Sequence, residues 1–397
     1  MSDRRNAEAG ASFAQVRALG LVSLLTDASS EAVYPVLPLF LTNVIGAPVA
    51  AIGLIESLAE ATAAIAKVFS GRLSDRVGKR RPLVLIGYSL SNLVKPALAL
   101  VPSWPWALAL RVTDRLGKGV RTAPRDALIA DYAPEAKRGE AFGLHRAMDT
   151  IGAAIGPLIA WAILALEPEG YRTVFLVSAV PGMLAILVAL TMVRDRARQR
   201  AVEPDAATVS FHGLGRKFAA FAAISMVFAL GNSSDAMLIL RAQDLGAAPA
   251  TVPLMYFVFN VVAASLARLF GRRSDRVGRR RVLVAGFAGY ALVYAGFALA
   301  RHAWAPWPLF FAYGVPYALT EGMARAFVVD LVPDEVRATA IGAYTFLLGL
   351  ATLLSSTVAG ILWDTVSHAA PFAFSAVLMA GSAAALARTR MLRAPGV

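Results

Sequence analysis

The chain has 397 residues, 57% of them apolar and only 16% charged, with a mean hydropathy of +0.60. Soluble chains hold about 45–50% apolar and about 25% charged residues. An ordinary soluble enzyme, a disordered chain and a secreted disulfide scaffold are therefore excluded. Lys and Arg number 39 against 26 Asp and Glu, a net +13, and the placement of those charges decides between nucleic-acid binding and basic membrane loops.

There is no Cys, which removes disulfides and thiolate metal sites. The four His (His145, His212, His302, His368) form no ligand motif, so no metal and no cofactor is expected. The N-terminal stretch MSDRRNAEAGASFAQVR has no apolar core beside a cleavage site. The first span is therefore expected to stay as an anchor.

Hydropathy places twelve spans at 16–42, 49–70, 82–101, 104–132, 138–165, 171–193, 215–241, 250–270, 282–300, 305–332, 337–361 and 370–387. Spans one, four, five and ten are interrupted by charges. After span two come Arg72, Arg76, Lys79, Arg80 and Arg81; after span six Arg194, Arg196, Arg198 and Arg200, with Arg216 and Lys217 entering span seven; after span eight Arg272, Arg273, Arg276, Arg279, Arg280 and Arg281. The opposite loops near 43–48, 102–105 and 362–369 carry no Lys or Arg, Arg172 and Arg301 being exceptions on that side. The bias predicts that the basic loops and both termini are cytoplasmic, and it accounts for the +13 without nucleic acid. Trp104, Trp106, Trp304 and Trp307 fall at the other interface, where an aromatic belt belongs.

Gly71-Arg-Leu-Ser-Asp-Arg-Val-Gly-Lys-Arg-Arg81 returns as Gly271-Arg-Arg-Ser-Asp-Arg-Val-Gly-Arg-Arg-Arg281, nine of eleven positions being identical at an offset of 200. Asp131, Pro134, Arg138 and Gly143 return as Asp330, Pro333, Arg337 and Gly342 at an offset of 199. The chain therefore divides into two homologous six-span halves, 1–193 and 215–397, joined by a polar linker at 194–214.

Six plus six spans, a basic central loop and GRLSDRVGKRR after span two resemble the major facilitator superfamily, over nearly the whole chain. The resemblance implies an all-α integral membrane fold, with twelve transmembrane helices in two pseudo-symmetric bundles around a central cavity. It implies a secondary transporter of a small molecule working by alternating access as a monomer in the bacterial inner membrane, and not an enzyme. It assigns Gly71, Asp75 and Arg76, with Gly271, Asp275 and Arg276, to a conformational latch. In that latch Gly71 lets spans two and eleven approach, and Asp75 pairs with a cation at the end of span four. Gly143, Gly152, Gly156 and Pro157 match much of the exporter motif of span five, although its closing Gly-Gly is Ala160-Trp161 here. Small residues there permit close packing and Pro157 bends the helix.

Span four is unusual. Arg111 matches the Arg that opens the family's span-four motif, while Asp114 and Arg115 replace its Gln and first Gly. Arg111, Arg115, Lys118 and Arg125 share one helical face. Ionisable groups in hydrocarbon cost several kcal/mol unless paired or hydrated, so they must face a cavity or partners. Asp27 and Glu31 lie four apart on span one, Glu56 and Glu60 four apart on span two, Asp149 halfway along span five and Lys95 on span three. Asp27 and Glu31, with Asp149, are the expected proton carriers, tuned by Arg111 and Arg115. Glu56, Glu60 and Lys95 are expected to be network members. The second half offers Asp235 and Arg241 on span seven and Glu321 with Arg325 on span ten. Tyr34, Asp235, Tyr256, Tyr317, Glu321 and Arg325 are candidates for a substrate cavity.

These features point to proton-coupled efflux of a small organic molecule or drug. The alternative is import or exchange of an organic anion or phosphorylated metabolite, for which the span-four cations would be the site. No G-x-x-x-x-G-K-[ST] segment supports an ATP-driven pump.

Overall fold

The computed structural model describes residues 2–134, 137–195, 214–333 and 336–392. The linker therefore lies, from 196 to 213, outside the described residues, as do the side chains of Asp275 and Arg276.

Every regular element among the described residues is helical. Span one is α1 (Ser2–Val33) and α2 (Leu37–Asn43), span two α3 (Val49–Val77), span three α4 (Arg81–Ala97) with a 3-10 turn at Leu98–Leu100. Span four is α5 (Trp104–Tyr132), span five α6 (Arg138–Leu166), span six α7 (Tyr171–Val177) and α8 (Ala179–Met192). Span seven is α9 (Gly215–Gly231) and α10 (Asp235–Asp244), span eight α11 (Thr251–Val277), span nine α12 (Arg279–Leu299). Span ten is α13 (Pro306–Thr320) and α14 (Met323–Asp330), span eleven α15 (Arg337–Thr365), span twelve α16 (Ala370–Arg388). Nine of the described spans are long and apolar enough to cross a membrane on composition alone. Spans one, four and ten fall short, and all three carry internal charges.

The structure departs from the hydropathy reading at the breaks. The segment read as a loop motif is mostly helix: α3 runs through Val77, and the turn is confined to Gly78–Arg80. Gly78 has φ +70° there and Gly278 φ +94° in the second copy. Span seven breaks after Gly231, and Ser234 restarts it by accepting the Ala236 N–H at 3.3 Å. Span ten breaks at Gly322, with φ +80°, a conformation in which a Cβ is strained. Glu321 is extended at the end of α13, so Glu321 and Arg325, four apart in the sequence, do not share one continuous helix.

The chain forms two compact units. One holds residues up to Gly46 and from Leu58 through span six; the other holds Ala47–Ser57 and spans seven to twelve. Within the second unit Asp364 accepts the N–H groups of Val49 and Ala50, at 3.2 and 2.8 Å, and so caps the start of α3.

Burial follows the logic of a bilayer. Phe69, Leu187, Leu292 and Val377 are exposed on helix surfaces, while the interiors hold Ser, Gly, Ala and charged groups beside aromatic rings. Lipid tails are as apolar as Leu, so close backbone packing and interhelical hydrogen bonds hold such helices together. At the basic end of the first unit, Val16, Leu19, Val84, Tyr88, Leu128 and Ala185 join spans one, three, four and six.

Candidate functional site

In the first unit, α1 and α6 pack along their length because α6 presents small residues to α1. A Cβ on Gly152 would lie 2.3 Å from the Leu24 carbonyl oxygen, and one on Gly156 2.6 Å from Ala32 N and 2.7 Å from the Glu31 Cβ. Both glycines thus serve contact with span one of their own unit. Gly143 does not share this role: a Cβ there meets nothing within 4 Å. Pro157 sits buried inside α6, which runs without interruption from Arg138 to Leu166.

Because α1 and α6 are in register, their polar residues meet in rungs. His145 Nε2 lies 2.9 Å from Ser23 Oγ, and Ser23 Oγ lies 2.8 Å from Tyr88 Oη on α4. Arg125 of α5 donates to Ser23 Oγ at 3.2 Å. One helical turn deeper, Asp149 Oδ2 is 3.6 Å from His145 Nδ1. Asp27 lies within reach of the charges of Asp149, Lys118, Arg121 and Arg125. Glu31, a further turn along, lies within reach of Asp27, Lys118, Arg115 and Arg111. Asp149 Oδ1 and Glu31 Oε2 are buried without a hydrogen-bond partner.

The span-four cations are shared out along α5. Arg111 is 3% exposed, lies 3.3 Å from Asp114 and sits 5.3 Å over the Tyr34 ring. Asp114 also accepts from Ser91. Arg115 is 3.3 Å from Glu60, and Arg121 stacks 4.6 Å over Tyr88. Lys95 is buried and donates to Asn92 and Ser29 at 2.8 and 3.0 Å. A cavity of about 10 Å³ between Ser30, Lys95, Arg111 and Asp114 has room for one water. Lys118, Arg115 and Arg111 stand around Glu31. Lys118, Arg121 and Arg125 stand beside Asp27, because Asp27 lies one turn nearer the basic end than Glu31.

At the basic end, Asp75 is 3.5 Å from Arg80 of its own turn, and Arg80 pairs with Asp131 at the end of span four. Arg80 thus joins Asp75 to the end of span four. Arg76 is exposed on the last turn of α3. Gly71 faces Ala123 of span four, with a Cβ contact of 3.4 Å. Gly271 has an ordinary 3.9 Å contact with Met323. The second unit repeats the ion pair: Arg279 lies 2.7 Å from Asp330.

In the second unit Tyr313 Oη donates to Asp235 Oδ1 at 2.7 Å. Tyr256, Phe259, Tyr313 and Tyr317 form a continuous ring cluster with centroids 4.8 to 6.4 Å apart. Asp235, Tyr256 and Tyr317 are thus brought together through Tyr313 and Phe259. Glu321 and Arg325 are exposed around the Gly322 break. Arg241 is buried and anchors span seven to the carbonyls of Phe297 and Ala300 at 3.1 and 3.0 Å.

Sequence reasoning missed His145, Ser23 and Tyr88. The signal was present in part: Ser23, Asp27 and Glu31 recur every four residues on span one, and His145 and Asp149 do so on span five.

Comparisons with known proteins agree with this architecture. The family model described as Major Facilitator Superfamily matches residues 19–240 and again 218–396. An uncharacterized MFS-type transporter of Methanocaldococcus jannaschii is 35% identical over 370 residues, covering 91% of each chain. The multidrug resistance protein MdtG of Enterobacter lignolyticus is 25% identical over 293 residues, covering 70% of this chain and 69% of that one. Among solved structures, the nucleoside transporter NupG superposes with a TM-score of 0.77 at 16% identity, covering 95% of this chain and 99% of that one, a likeness of fold. The match over both halves and the archaeal relative establish that the chain belongs to the major facilitator superfamily of membrane transporters.

Proposed function

We propose that this secondary transporter couples the outward movement of a small organic molecule to the inward movement of protons. The observation that carries this reading is the ladder of titratable groups along α1 and α6: His145, Asp149, Asp27 and Glu31. Burial favours a neutral carboxylic acid, and a nearby cation favours the carboxylate. A change in packing that moves Lys118, Arg121 or Arg125 relative to Asp27 therefore loads or releases a proton. In this scheme Asp27 and Glu31 take up the proton, Asp149 shares it, and His145 passes it through Ser23 toward the basic, cytoplasmic end. Arg111 and Arg115 are held by Asp114 and Glu60 and set the field at Glu31.

Candidate substrate contacts are Tyr34 within the first unit and, separately, the Asp235, Tyr256 and Tyr317 cluster within the second. The Asp75–Arg80–Asp131 link and the Arg279–Asp330 pair serve as the latch between access states. The span-five glycines and the similarity to a multidrug resistance protein support the efflux direction. The protein is read as a monomer of the inner membrane with both termini cytoplasmic, in keeping with its basic loops.

Inside-out vesicles with an acid interior and a pH-sensitive dye test the reading. Lipophilic cations, neutral drugs, sugars and organic anions are added in turn. Collapse of the gradient by one class, with the intact protein and not with Asp27→Asn, is the expected result. Exchange of a labelled organic anion without a proton gradient overturns it and favours the second reading. The buried Arg111 and Arg115 then become an anion site.

A further inference from the structure

The first unit carries an open cavity of about 520 Å³ at its basic end, between the turn after α3 and the last residues of α8. Lys79, Arg81 and Arg194 line it, with Thr191 and Asp195. Asp195 is already engaged: its Oδ1 accepts the N–H groups of Arg80 and Arg81 at 3.0 and 3.1 Å, which caps the start of α4. Three cations face one carboxylate there.

The second unit bonds the corresponding arginine differently. Arg280 occupies the place in the second unit that Arg81 holds in the first. Its Nε donates to the Leu386 carbonyl at 3.0 Å and its Nη2 to Ala387 at 2.6 Å. Arg81 uses Nη2 on the Leu190 carbonyl at 2.8 Å, yet its Nε is buried with no hydrogen-bond partner. A buried donor left unmade is costly. The Nε of this arginine is thus bonded to a carbonyl in the second unit, whereas in the first it has no protein acceptor and the side chain lines the cavity.

The surroundings define the acceptor. Leu187 and Leu190 of α8 are 56% and 51% exposed on a membrane-spanning helix, so an apolar surface runs down from the cationic rim. We infer that this cavity binds the phosphate group of an anionic phospholipid, with the headgroup between Lys79, Arg81 and Arg194 and the acyl chains along α8. Basic pockets between transmembrane helices recognise anionic headgroups in this way. The site is separate from the coupling ladder and does not depend on the direction of transport.

Native mass spectrometry of the delipidated full-length protein tests it, with phosphatidylglycerol, phosphatidylcholine or inorganic phosphate added. Phosphatidylglycerol is expected to bind in preference to phosphatidylcholine. Each cation near the surface contributes roughly a factor of five, so Lys79→Gln with Arg194→Gln is expected to weaken that binding about tenfold or more. Both residues are exposed, so the pair is expected to fold, which thermal melting checks. Arg216→Gln with Lys217→Gln, at the same end of the second unit, is the charge-matched control and is expected to leave the binding intact. Binding that competes with millimolar inorganic phosphate and shows no preference for the lipid supports the phosphate site but assigns it to the free ion. Equal loss in both double variants, or equal binding of the two lipids with no effect of phosphate, overturns the proposal.

Discussion

Arg279 pairs with Asp330 in the second unit, and the pair repeats Arg80 with Asp131 in the first. The offset is 199 for both partners, whereas Gly71 and Gly271 are 200 apart. The one-residue change falls at the turn: α4 starts at Arg81, three residues past Gly78, and α12 starts at Arg279, directly after Gly278. The second half shortens the turn and still keeps the ion pair.

The two pairs differ in burial, and their loss is expected to differ with it. Arg80 is 8% exposed and Arg279 31%. Arg80→Ala leaves Asp131 and Asp75 without this partner and is expected to cost up to about 3 kcal/mol. Arg279→Ala is expected to cost about 1 kcal/mol or less. Melting of the purified protein measures both. Asp75→Asn is expected to slow conformational exchange with substrate affinity unchanged, and an equal loss of affinity removes the latch role.

Along α6 the glycines separate into two kinds. Gly152→Leu drives a side chain into the Leu24 backbone and is expected to destabilise by about 1–3 kcal/mol or more. Gly143→Ala enters open space on a helix and is expected to be neutral or to stabilise by up to about 1 kcal/mol. Comparable losses at both positions contradict the packing described here.

Within the ladder, Asp27→Asn and Glu31→Gln are expected to abolish proton-driven transport while expression and melting stay near wild type. His145→Gln keeps a partner for Ser23 but cannot take up a proton. It is expected to slow proton-driven transport about tenfold or more and to leave gradient-free substrate exchange unchanged. Full pH-driven activity in the Asp27 and Glu31 variants removes them as carriers. Loss of exchange along with proton-driven transport in His145→Gln assigns His145 to structure instead.

Tyr313→Phe removes the 2.7 Å hydrogen bond to Asp235 and leaves the ring cluster in place. The expected cost to stability is about 1 kcal/mol. If the Asp235 cluster contacts substrate, apparent affinity changes several-fold while proton stoichiometry does not. A change in stoichiometry with affinity intact moves coupling into the second unit.

Much of this was legible in the residues alone. Hydropathy places span twelve at 370–387, where α16 runs from Ala370 to Arg388, because a hydrophobic stretch is a property of a single segment. The two halves, the basic loops and the shared face of Arg111 and Arg115 follow from local repeats and helical period in the same way. The breaks were harder. Span seven reads as one apolar run although it breaks before Ser234, and the charges of span ten are visible in the sequence while its break at Gly322 shows only in the backbone angles.

Tertiary packing alone decided the partners. Ser23 meets His145 across 122 positions, and Arg80 meets Asp131 across 51. Which rung faces which depends on the axial register and rotation of two helices. Gly152 and Gly156 set that register by admitting the α1 backbone, so Asp27 stands beside Asp149 and among Lys118, Arg121 and Arg125. Composition places a charge in the membrane and periodicity gives it a face, but the partner on the neighbouring helix exists only once the helices have packed.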